Sequence, residues 1–293
     1  MIKLLSTEVQ SELIQKPAVV DNFMSLLFPA RRSARPYVLE HGHPQSVEIG
    51  YLGNRVMSHL GFAREVSAIR NAQGIICINT PMEARCKRLG ARETIIIPNY
   101  PTRDFKPTCS RGDWMSQHGI PEESRLVIFS GNERLVEIYG IDLLLKSWRI
   151  VESKKHDTLL VLACPTHEWL MRLIRQMGLE HVLLTGFLSH KELANWVGAS
   201  DVCLATRTPT FPSAYYNDMD STKICEYAAL SKPIVANNYL PSSQYLLVDS
   251  DATSLAQGII SALDGSVSPA QPRFWEDIEN DLVRFVSRSL DLS

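Results

Sequence analysis

A chain of 293 residues, 45% hydrophobic and 21% charged, is long enough for two domains and too apolar to be disordered. Its formal net charge of −2 argues against the broad basic surface of a nucleic-acid binder. No apolar run reaches the roughly 18–20 residues of a membrane span, Met1–Leu5 does not read as a leader, and the six scattered cysteines contain no Cys-x-x-Cys pair, which together imply a cytoplasmic protein without a zinc site.

Short apolar runs alternate with amphipathic stretches along the chain. The front part offers strands at Ala18–Val20, Tyr37–Leu39, Gly74–Ile78 and Thr94–Ile97. Three prolines and an Asn between Pro98 and Pro107 then interrupt both periodicities, as a linker does. Beyond it come strands at Leu126–Ser130, Leu159–Ala163, Val182–Thr185, Val202–Ala205, Ile234–Ala236 and Leu246–Val248. Helical spacing falls between these at Ile141–Glu152, Glu168–Met177, Lys191–Ala199, Thr222–Leu230 and Leu255–Leu263. Runs rich in Val, Ile and Leu without polar alternation read as strands buried on both faces of a parallel sheet. The order is therefore α/β, with a complete doubly wound sheet behind the linker and only four strands before it. Leu282, Phe285, Val286 and Leu290 recur at helical spacing and close the chain with an amphipathic helix.

Ligands of open α/β sheets bind beyond the carboxyl ends of strands, often at a helix start. Two such ends stand out. Ser130 is followed by Gly131, Asn132 and Arg134, then Gly140; taken alone, this stretch reads better as a plain strand-to-helix turn. The second is a long loop, Thr206 to Asp220, that runs into a helix at Ser221-Thr222-Lys223 and carries Glu226 one turn on. Asp220 or Ser221 can serve as N-cap, and the remaining first-turn N–H groups with Lys223 suit a phosphate. Glu226 is spaced to accept bonds from ribose hydroxyls, and Asp218 could reach a sugar from the loop. The plain alternative is an i, i+3 ion pair between Lys223 and Glu226 on a solvated face.

The context of that segment resembles retaining GT-B glycosyltransferases (glycosyl transferases group 1, family 4-like). Asp218 and Glu226 have seven residues between them, and Ser221-Thr222-Lys223-Ile224-Cys225-Glu226-Tyr227-Ala228-Ala229 is similar to the family's Ser-x-Lys…Glu-Tyr-x-Ala form. Ile97-Pro98-Asn99 with Phe105-Lys106-Pro107, the Ser130–Asn132 turn with Tyr139–Leu144, and Gly186-Phe187 with Ala199–Val202 resemble other stretches in the expected order. The resemblance implies two Rossmann-like domains, the N-terminal one incomplete or truncated. Residues 1–107 would be a partial acceptor-side domain with linker, 108–270 the nucleotide-sugar domain, and 271–293 a helix packing back towards the first. It further implies a UDP-sugar or GDP-sugar donor, a glycan or lipid-linked acceptor, no metal and no other cofactor. Glu226 would hold the ribose and Asp218 the transferred sugar. Ser221, Thr222 and Lys223, with Gly131, Asn132 and Arg134, would face the diphosphate.

Three departures stand out. Arg134 is displaced from the family's Arg position, and Tyr139 occupies the place of a phosphate-binding Lys, leaving Arg134 or Arg207 to replace it. Asp218 stands where a longer Glu is usual, and the first front strand with its Gly-rich turn is missing from the sequence. In Glu40-His41-Gly42-His43, His41 is the catalytic candidate in the front part; a packed loop histidine is the alternative. Arg31, Arg32 and Arg35 form a basic cluster that reads as a solvated loop, or as a contact to anionic headgroups at the inner face of a membrane if the acceptor is lipid-linked. Two functions follow as expectations: a retaining glycosyltransferase, or a non-catalytic relative that binds a nucleotide sugar as a subunit or module. A nicotinamide-dependent oxidoreductase is set aside because no strand is followed by Gly-x-Gly-x-x-Gly.

Overall fold

The computed structural model describes residues 18–21, 37–51, 53, 55–132 and 136–290. Sequence readings placed on Met1–Leu5, Lys16, Arg31, Arg32, Arg35 and Arg134 lie outside the described residues. The chain divides into two compact units, Met1–Asn99 with Glu276–Ser293, and Tyr100–Trp275.

In the first unit β1 (Ala18–Asp21), β2 (Tyr37–His41), β3 (Gly74–Cys77) and β4 (Thr94–Ile96) form a parallel sheet in that order. Between β2 and β4 lie α1 (Gln45–Tyr51), α2 (Arg55–Asn71) and α3 (Thr80–Leu89). The last of these is well defined by its ends. Asn79 Oδ1 accepts from Met82 N–H at 2.9 Å, and Gly90, at φ 101°, stops the helix in the left-handed region that glycine tolerates.

The second unit holds β5 (Arg125–Ser130), β6 (Thr158–Ala163), β7 (Val182–Leu184), β8 (Val202–Ala205), β9 (Ile234–Asn237) and β10 (Leu246–Val248). Its helices are α4 (Arg111–Gln117), α5 (Ile141–Glu152), α6 (Glu168–Gln176), α7 (His190–Ala199), α8 (Thr222–Ala229) and α9 (Ala252–Leu263). The six strands are parallel in the order β10-β9-β8-β5-β6-β7, which is the doubly wound 3-2-1-4-5-6 arrangement read from its other edge. Alternate residues Val127, Phe129, Leu160, Leu162, Val202 and Leu204 point to one face, where they meet Leu144 and Trp148 of α5 and Ile259 of α9. The strand order reverses between β5 and β8, which pair through Val127–Val202 and Phe129–Leu204. A crevice at that reversal is where such sheets take ligands.

The last helix, α10 (Glu279–Ser289), follows a single 3₁₀ turn at Trp275–Asp277 and belongs to the first unit. It packs on β2 and β3, with the Phe285 ring so close to Gly74 that a Cβ there would come within 2.7 Å of it. The α/β architecture with parallel sheets expected from the sequence is thus the one observed.

Candidate functional site

The carboxyl ends of β5 and β8 carry the two loops singled out in the sequence, and the fold ties them together. Thr206 Oγ1 donates to Tyr139 O at 2.8 Å, and Thr208 N–H donates to Ile138 O at 2.8 Å. Asn237, at the end of β9, clamps Arg207 from both sides: it accepts from the Arg207 N–H at 3.1 Å and donates to its carbonyl at 2.9 Å. Across the sheet, Ser130 N–H donates to the Tyr227 hydroxyl at 2.9 Å, and the two hydroxyls are also 2.9 Å apart. Gly131 and Asn132 continue from Ser130, so the start of the β5 turn is anchored directly to α8. Gly140 sits at φ 60° before α5, and a Cβ there would be 3.1 Å from Thr208 Cα; glycine lets the two loops touch.

At the start of α8, Ser221 is the N-cap residue, but its side chain closes no cap bond; its Oγ lies 3.3 Å from the Tyr239 hydroxyl instead. Asp220 accepts from Asn217 N–H at 2.5 Å and from Arg207 Nη2 at 3.4 Å. The first-turn N–H groups that follow Ser221, including that of Thr222, therefore keep their positive end without the Ser221 cap.

Lys223 lies just inside this turn and is only 9% exposed. Its Nζ sits 3.8 Å from the Tyr139 ring centroid and 4.3 Å from that of Phe129, and it has no hydrogen-bond partner among the described residues. Burial pushes its pKa well below the usual 10.5, the nearby Arg207 pushes the same way, and Glu226 opposes both. Glu226 is held by His190, whose Nε2 is 2.9 Å from Oε1. Burial raises the Glu226 pKa above its ordinary value, against the pull of His190 and Lys223. Arg207 is a second buried cation, between the rings of Tyr216 at 4.1 Å and Tyr239 at 4.0 Å, with Nε and Nη1 unpartnered among the described residues. Lys223, with no acceptor among the described residues, carries a desolvation cost of several kcal/mol that a bound anion would offset.

Asp218 is placed differently. On an α-helix Lys223, Glu226 and Tyr227 share one face, while Ile224, Cys225 and Ala228 share the opposite one. Asp218 lines a small cavity with that second group and with Tyr100, Gln244 and Arg273. Its Oδ2 accepts from Arg273 Nη1 at 3.2 Å, and the same nitrogen donates to the Tyr100 hydroxyl at 3.1 Å. The structure thus brings Lys223 and Glu226 together with the β5 end and leaves Asp218 on the other side of α8.

His41 closes β2 in the first unit and is fully buried. Its Nε2 is 3.0 Å from Glu65 Oε1, and Arg85 donates to both oxygens of the same carboxylate, at 2.8 and 3.0 Å. Ser46 Oγ completes the cluster at 2.6 Å from Glu65 Oε2.

Sequence reasoning did not single out His190 or Arg273. The Ser189-x-x-Glu192 capping box does mark the start of α7, with the Glu192 carboxylate accepting the Ser189 N–H at 2.9 Å, but no local signal pairs His190 with a helix 36 residues away.

Residues 124–265 match the family described as Glycosyl transferases group 1. No curated protein matches the chain by sequence. Among solved structures, sucrose-phosphate synthase from Thermosynechococcus elongatus superposes with a TM-score of 0.73 at 16% identity, over 97% of this chain and 77% of that one. WaaG, a glycosyltransferase involved in lipopolysaccharide biosynthesis, gives 0.62 at 15%, over 88% and 72%. A Listeria monocytogenes protein described as a UDP-N-acetylglucosamine 2-epimerase gives 0.61 at 12%, over 100% and 82%. At these identities the likeness is one of fold, the GT-B fold expected above, and a fold shared by transferase and epimerase does not choose a reaction. No helix among the described residues is long and apolar enough to cross a membrane.

Proposed function

We propose that the chain is a glycosyltransferase that binds a UDP-sugar or GDP-sugar at the start of α8 and transfers the sugar, with retention, to a glycan or lipid-linked acceptor. The observation that carries this reading is the buried ammonium of Lys223, without an acceptor among the described residues, beside the start of α8 at the strand-order reversal, with Glu226 on the same helix face. A diphosphate would supply the missing acceptor. As the glycosidic bond breaks, negative charge grows on that leaving group, and Lys223 with the first-turn N–H groups would stabilise it where it appears. Glu226, one turn deeper, would accept the ribose hydroxyls. The match of residues 124–265 to the group 1 family supports transfer over epimerisation.

A second reading, a nucleotide-sugar-binding module without turnover, draws on His41. A residue assisting transfer must reach its substrate, and His41 is fully buried against Glu65. The two readings separate in donor hydrolysis: loss in His41→Ala with nucleotide binding retained supports the enzyme, and no turnover by the unaltered protein supports the module. For the site itself, Glu226→Ala is expected to weaken nucleoside diphosphate binding by ~10- to 100-fold in calorimetry. An unchanged affinity would remove the ribose assignment.

A further inference from the structure

The linker motif Phe105-Lys106-Pro107-Thr108 does more than connect, because the structure stitches it along α7. The Phe105 ring lies 4.7 Å from that of His190, at an interplanar angle of 43°. Pro107 stands so close to Gly198 that a Cβ there would overlap the Pro107 Cγ. Thr108 N–H donates to Asn195 Oδ1 at 2.7 Å, and Asn195 Nδ2 donates back to Thr108 Oγ1 at 3.1 Å. The capping box of Ser189 and Glu192 fixes the first turn, which makes His190 the first residue of the helix. Register, lateral position and ring contact of His190 are therefore all set by neighbours that make no contact with Glu226 in these bonds.

We infer that His190 is a positioning residue that also contacts the nucleoside: it holds the Glu226 carboxylate in the orientation that receives a ribose diol, and Phe105–Thr108 holds His190. The inference rests on the reading of Glu226 as the ribose ligand. The His190 side chain is 62% exposed and that of Glu226 only 7%, so a ligand reaching the carboxylate comes up against the imidazole. A carboxylate has about four acceptor positions on its two oxygens. His190 takes one on Oε1 and leaves others for the two hydroxyls of a vicinal diol. With Glu226 ionised, the His190 Nε2–H donates to its Oε1, which holds the imidazole against the carboxylate. Without His190 the buried Glu226 carboxylate would lose that hydrogen bond, and orienting it would fall to the ligand.

Such a role makes a distinction that a structural role would not, between ribose and deoxyribose. UDP and GDP are titrated into the full chain, and the one that binds is compared with its 2′-deoxy counterpart. For His190→Ala the ribonucleotide is expected to lose ~10-fold in affinity and the deoxynucleotide no more than ~2-fold. His190→Gln, which retains an N–H donor, should recover most of the difference. Thermal melting checks that both variants fold, as expected for an exposed side chain. Equal losses for the two sugars, or no loss, would overturn the inference while leaving the nucleotide site standing. If the unaltered protein binds neither UDP nor GDP, the nucleotide site falls first and this role falls with it.

Discussion

Lys223→Met is expected to make the protein more stable and to cost it its diphosphate. The ammonium is buried without an acceptor, at a penalty of several kcal/mol for an ion taken out of water. The rings of Tyr139 and Phe129 return about 2 kcal/mol of that through cation–π attraction. Methionine has nearly the same length, carries no charge and packs well on aromatic rings. Stability should therefore rise by about 1–3 kcal/mol, seen as a higher denaturant midpoint, while affinity for UDP or GDP falls by ~100-fold or more. The pH dependence follows from the same burial. Between the depressed folded pKa of Lys223 and 10.5, the unfolded chain holds a proton that the folded chain does not, so stability climbs with pH through that window. The Met variant should lack this climb. A less stable variant with unchanged diphosphate affinity would make Lys223 a structural residue.

Glu65→Ala should damage the first unit more than any surface change, by about 3–5 kcal/mol, because it leaves Arg85 buried without its partner. Burial alone would raise the Glu65 pKa, but hydrogen bonds from His41, Arg85 and Ser46, with the charge of His41, outweigh it and bring the value down to about 2. The group's folded pKa is thus depressed from 4.5. Its contribution is present above pH 4.5 and is lost as pH falls towards 2, about 3 kcal/mol in all. Urea unfolding at pH 7 and pH 3 should show this acid loss in the unaltered protein and a smaller one in Glu65→Ala. Identical acid limbs would mean that the cluster contributes nothing through charge.

The strands were legible because each is a short apolar run; β3, β5, β8 and β9 are buried along nearly their whole length, whereas β4, β7 and β10 are only partly buried. The helices α1, α2, α3 and α4 were not legible. The buried positions of α2 are Gly61, Glu65, Ala68 and Ile69, whereas Val56, Met57 and Leu60 face solvent, so its apolar spacing does not mark the face it buries. The local features of the candidate site, Ser221 to Glu226, were readable because a helix start, a cation and a carboxylate lie close together in the sequence. The partners that decide its chemistry were not. His190 and Tyr139 reach Glu226 and Lys223 of α8 from other elements, and only the fold shows Tyr139 as a ring under Lys223. For the same reason the spacing between Asp218 and Glu226 did not reveal that Asp218 is tied to Arg273 on the far side of the helix.

The central claim is that the start of α8 is a nucleotide-sugar site. Saturation-transfer NMR on the unaltered protein with a panel of UDP-linked and GDP-linked sugars addresses it most directly. At least one of them should receive saturation, strongest on the ribose protons, and should lose it when UDP or GDP is added as competitor. No saturation on any nucleotide sugar, or saturation that a tenfold excess of the nucleoside diphosphate leaves in place, would contradict it.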